Sequence, residues 1–142
     1  MDILWGSVIL VLSLLAWGGQ AIAWLAPTAA ERFGLIEERS SVEPVYWADI
    51  RGEARWDTLT LWTLVIAGIL LIFGSDEWAY FGLVGGGSYV YFAGRGVSAR
   101  MAMQRRGFRI GTPSNIRVGY AFLIVWGVMA LVTIAMAINQ LR

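Results

Sequence analysis

Four apolar stretches alternate with polar connections along the chain: residues 3–25, 58–74, 78–94 and 118–138. None of them contains Asp, Glu, Lys or Arg. The first and last suit a hydrocarbon core about 30 Å thick, which takes roughly 20 helical residues at 1.5 Å each. The middle two are shorter. Trp56, Trp62, Trp78 and Tyr80 flank or open them and can carry them to the membrane interfaces, where amphipathic rings concentrate. Only Ser75-Asp76-Glu77 separates the second stretch from the third, so the two form a tight antiparallel hairpin. The pattern predicts an all-α polytopic membrane protein: a single domain over 1–142, folded as a four-transmembrane-helix antiparallel bundle with connections at 26–57 and 95–117.

Local signals set the helix ends. Pro27 stops the first helix. Ser40 with Glu43 three residues on forms a capping-box pattern, and Pro44 suits a first turn, so a helix is expected to start there and run into the second span, weakened at Gly52. The third helix should continue to about Arg106, with Gly107 as its stop. Thr112 and Pro113 then supply an N-cap and a first-turn proline for the fourth.

Composition agrees with the class. A mean hydropathy of +0.62 and 58% hydrophobic residues are too apolar for a soluble domain of 142 residues. The 11 basic and 10 acidic residues nearly cancel, so no global field points to nucleic acid. Their distribution is informative. Arg95, Arg100, Arg105, Arg106, Arg109 and Arg117 share one connection with no acid, whereas Asp2, Asp76, Glu77 and Arg142 fall on the other side. The positive-inside rule makes the Arg-rich side cytoplasmic, in a bacterial or archaeal membrane, with both termini outside. The first stretch follows an acidic Asp2 rather than a basic segment, so it reads as a retained helix and not a signal peptide. The chain has neither Cys nor His, which removes thiol chemistry, iron–sulfur clusters and the usual haem and zinc ligands. No cofactor or metal is expected.

Three patterns could carry function. Asp49, Glu53 and Asp57 recur every fourth residue and make one acidic helix stripe near the membrane surface, with Arg51 and Arg55 roughly opposite. Cations from the Arg-rich connection, Arg95, Arg100 and Arg106, are expected to tie this stripe into a cytoplasmic charge network. A cation, polar-ligand or headgroup site and a solvated face are the alternatives. On the first helix Ser13, Trp17, Gln20 and Trp24 share a face, and the Gln20 amide needs a partner in lipid. That partner is a neighbouring helix or a ligand in an aromatic-lined pocket to which Tyr89 and Tyr120 add hydroxyls. Gly82 and Gly86 give the third helix a small-residue face, for packing within the bundle or for dimerisation. The Arg cluster would also attract anionic headgroups.

The leading helix, Pro27 with Phe33-Gly34-Leu35, the polar connection with Asp49 and Arg51-Gly52, and the compact hairpin together resemble small bacterial four-helix proteins of the DoxX-like kind. Members of that group are associated with quinone-linked redox systems or with assembly of other membrane proteins. The resemblance implies no catalytic residue here, and the absence of cysteine argues against thiol redox work. The expected function is a non-catalytic membrane module that binds a lipid-like or apolar molecule, or an accessory subunit of a membrane complex. Its expected partners are membrane lipids and a second copy or larger assembly. A small transporter or channel is the alternative; it is disfavoured by the lack of charges in the apolar stretches.

Overall fold

The computed structural model describes residues 2–142 and is all-helical, with no strand among them. Helix α1 spans Asp2–Leu25, and a short α2 (Pro27–Arg32) follows it. A single 3-10 turn at Arg39–Ser41 precedes α3 (Pro44–Thr60), which continues through Leu61 into α4 (Trp62–Ile72). Helix α5 covers Trp78–Arg105 and α6 covers Pro113–Gln140.

Three helical segments are long and apolar enough to cross a membrane: α1, the continuous α3–α4 rod and α6. The fourth expected span, α5, has the length at 28 residues, but its glycines and Arg95 dilute its hydropathy. Large apolar side chains cover the outside of the molecule. Val11, Leu15, Leu59, Val84, Ile124, Val128 and Leu131 all stand exposed, a surface that suits lipid rather than water. The buried hydroxyls of Ser13 and Thr133 are satisfied within their own helices, by Leu10 O and Met129 O.

Most of the helix ends follow from local chemistry. Thr112 Oγ1 accepts from Asn115 N, and Pro113 opens α6. Gly107, at φ 78°, ends α5, and its N–H bonds Gln104 O. The start of α3 corrects the sequence expectation: Ser40 caps nothing. Ser41 turns its hydroxyl back to Glu38 O, and α3 begins at Pro44 with Glu43 as an N-cap residue that makes no side-chain cap. The Glu43 N–H donates instead to Arg109 O, so pairing between the two long connections overrides the local capping signal. A small apolar cluster of Val42, Tyr46, Ile50 and Ile110 fixes that contact.

Successive rods run in opposite directions. Gly6 of α1 lies against Gly68 and Ile72, while Trp17 Nε1 donates to Thr58 O at 2.9 Å. Gly85 of α5 meets Leu64, and further along Arg95 reaches Asp49. Gly82 and Gly86 face Ala137 and Ile134 of α6, and Gly96 faces Leu123. Thus α1 packs on the rod, the rod on α5, and α5 on α6. The remaining seam, between α1 and α6, is barely closed. Trp126 Nε1 pins it at one point by donating to Leu12 O at 2.9 Å.

Glycine makes the closed seams possible. A Cβ on Gly85 would stand 2.7 Å from Leu64 N, and one on Gly68 would stand 2.9 Å from Leu10 N. Both neighbours are backbone atoms that cannot yield. Gly82 and Gly86 serve packing within this chain, where Gly86 leaves room for Ile134.

Candidate functional site

Below Trp126 the α1/α6 seam widens into a cleft of about 320 Å³. Its walls are apolar: Leu15, Ala16 and Gly19 of α1 face Val118, Gly119, Phe122 and Leu123 of α6, with Phe92 of α5 behind. Leu15, Val118 and Phe122 are themselves exposed, so the cleft opens sideways through the lipid-suited surface. Its other end is polar, formed by Gln20, Glu37, Glu53, Arg100 and Asn115, with Gly34–Ile36 as a floor. A slot with a polar end and an apolar side opening matches the shape of an amphiphile.

The structure distributes the candidate residues of α1 over different tasks. Gln20 lines the cleft. Ser13 and Tyr89 do not; they are fully buried, and Tyr89 Oη donates to the Ser13 carbonyl at 3.0 Å, joining α5 to α1. Trp17 is spent on the Thr58 carbonyl. Trp24 packs beside a small cluster of Ala23, Ala30 and Ala54, and Tyr120 Oη donates to Gln104 Oε1 at 2.6 Å. The aromatic residues that do line the cleft are Phe92, Phe122 and Trp126, with Trp126 packed between the two phenylalanines at tilted angles and centroid separations of 5.7 and 5.3 Å. Sequence spacing along one helix could not reveal them, because they come from α5 and α6.

The acidic stripe lies beside the polar end. Arg95 grips Asp49 with two hydrogen bonds, 2.5 and 3.0 Å, and reaches Glu53 Oε2 at 3.1 Å. Arg100 lies over the Tyr46 ring, 5.9 Å from its centre, and donates to Gly96 O. Arg106 takes no part: it sits exposed just past the end of α5. Arg109 pairs with Glu43 at 3.2 Å and holds the two connections together.

Two carboxylates keep unmet valences. The Glu53 side chain is 6% exposed, yet its Oε1 has no hydrogen-bond partner among the described residues. Asp57 is 3% exposed, and its Oδ2 is equally unpartnered. Burial raises the pKa of Glu53 above the usual carboxylate range, against the pull of Arg95 and Arg100. Asp57, just before the apolar stretch at Thr58, is pushed up to about 8 by burial and then by the Glu53 carboxylate one turn away. Tyr46 is raised as well, mainly by burial.

Arg51 has a task the sequence hides. Its guanidinium donates to the carbonyls of Ala23 and Trp24. Pro27 has no N–H for Ala23 O, four residues back, so Arg51 satisfies a carbonyl that the proline orphans. Among the described residues no three acids are grouped to hold a metal ion. No family model matches the chain, and neither does any curated protein or solved structure.

Proposed function

We propose that this chain is a four-span membrane protein, an antiparallel bundle of α1, the α3–α4 rod, α5 and α6, whose α1/α6 cleft holds a lipid-like molecule. The observation that carries this reading is the cleft itself: apolar walls, a polar end and an opening through the exposed apolar surface. The weak hydropathy of α5 is compatible with spanning, because α5 packs against the rod on one side and α6 on the other and shows lipid only part of its surface. The Arg-rich connection supports a cytoplasmic side for the connections 26–57 and 95–117, with both ends of this chain outside. The protein works without catalysis, as a binding module or as an accessory subunit of a larger membrane assembly. The resemblance of its sequence layout to DoxX-like proteins is in keeping with the second role.

The test fills the slot. Gly19 and Gly119 line the cleft, and a Cβ on either meets nothing within 4 Å. Gly119→Phe should leave the helical circular dichroism intact and remove the lipid that native mass spectrometry detects on the purified protein. Equal lipid on both proteins would overturn the reading. Because the chain has no cysteine, single cysteines placed at Asp76 and at Arg106 give a clean topology test. Only the first should react with an impermeant maleimide added outside the cell.

A further inference from the structure

The polar end of the cleft is short of positive charge. Glu37 and Glu53 line it, Asp49 and Asp57 lie one turn to either side of Glu53 on α3, and Arg95 and Arg100 come from the Arg-rich connection to meet them. The other arginines are committed elsewhere or point outward: Arg51 to the α1 carbonyls, Arg109 to Glu43, while Arg32, Arg39, Arg55, Arg105, Arg106, Arg117 and Arg142 are exposed.

Glu53 shows what the site lacks. It lines the cleft and its side chain is 6% exposed, and the carboxylate oxygen that accepts nothing is itself closed off, so a donor in the cleft reaches it once the carboxylate turns toward the opening. A buried acceptor of this kind calls for a donor, and a charged donor would also relieve the cost of burying the carboxylate. Arg95 cannot supply it, because its guanidinium already bridges Asp49 and the other Glu53 oxygen. Gln20 and Asn115 are neutral groups that line the same cleft, and Arg100, which also lines it, is the cation available to a phosphate there.

Building on the reading of the cleft as a lipid slot, we infer that its polar end selects an amphiphile with a primary ammonium headgroup, which donates to Glu53 while Arg100 faces its phosphate. Phosphatidylethanolamine has this chemistry. Phosphatidylcholine carries the same charges but no N–H, and phosphatidylglycerol brings an uncompensated negative charge to an acidic end. The discrimination against choline is the loss of one charge-assisted hydrogen bond, about tenfold.

The experiment offers the detergent-solubilised, full-length chain an equimolar mixture of the three lipids with identical acyl chains, and native mass spectrometry counts what is retained. Phosphatidylethanolamine should exceed phosphatidylcholine about tenfold, with phosphatidylglycerol retained least. Glu53→Gln should still bind lipid but retain the two zwitterionic lipids equally. Equal retention by the wild type, or a preference for phosphatidylglycerol, overturns the headgroup assignment and leaves the slot standing. Retention of no lipid overturns both, and a Glu53→Gln variant that keeps the wild-type preference overturns the role of Glu53. Should that variant misfold, the wild-type ranking decides alone. Adding decylammonium separates the two sources of this chemistry: displacement of the phospholipid identifies a simple alkyl amine as sufficient, and persistence of the phospholipid shows that Arg100 and the phosphate contribute.

Discussion

The rod/α5 seam and the α1/α6 seam join helices of comparable length by opposite means. In the first, Gly85 lets α5 come so close to α4 that no side chain fits between them, and Arg95 clamps the end of the contact onto Asp49 and Glu53. In the second, Gly19 and Gly119 have open space before them, and a single tryptophan hydrogen bond holds the helices at one point. Glycine therefore does not have one meaning in this bundle. Where backbone faces backbone it closes a seam, and where nothing faces it the missing side chain becomes part of a cleft.

The contrast can be broken most severely at Arg95. Arg95→Leu leaves Glu53 buried beside Asp49 with no cation in contact. It should lower stability by about 3 kcal/mol, the low end for breaking a buried pair, because Arg95 and Asp49 keep side-chain exposures of 31% and 24%. Reversible unfolding in mixed micelles, followed by tryptophan fluorescence, measures this. Next is Gly85→Ala, whose methyl meets Leu64 backbone and should lose about 1–3 kcal/mol in the same assay.

A change of pH acts on the acidic group beside the clamp. Asp57 binds its proton more tightly folded than unfolded, since its carboxyl is raised from 3.8 to about 8. Its contribution is fully present below about pH 4 and is lost as pH rises toward 8, with a ceiling of about 1.4 kcal/mol per pH unit. Glu53 on its own helix, and Arg95 and Arg100 on α5, are the groups whose charges act on this titration. Asp57→Asn should flatten the profile; an unchanged slope would place the proton elsewhere. The smallest effect has the opposite sign. Gly119→Ala, in the open seam, should stabilise the protein by roughly 0.5–1 kcal/mol through helix propensity alone.

Signals that act within a few residues were legible in the sequence. Thr112-Pro113 and Gly107 mark helix ends because the groups that satisfy each end lie within one turn. Ser40 misleads because its competitor, the Arg109 carbonyl, is 66 residues from Glu43. The acidic stripe could be read from its spacing of four, but the number of arginines reaching it could not. That depended on Arg51 being drawn to a carbonyl freed by Pro27 and on Arg106 ending up outside the helix. The cleft was hidden for the same reason. Gln20 has a local address, but the wall opposite is written in α6, and only the paired helices show that Gly19 and Gly119 leave room between them.

The hydrogen bond from Trp126 to Leu12 joins residues 114 positions apart, which gives it a place in time as well as in space. As the chain emerges from the ribosome, α1 can settle on the rod and the rod on α5 before any of α6 exists. Through that interval the side of α1 that α6 will cover, with Gly19 and Gln20, stands open to the bilayer. Helix α6, made after the other three, therefore closes over whatever already occupies that face, so the slot can be filled during synthesis without any later opening of the seam.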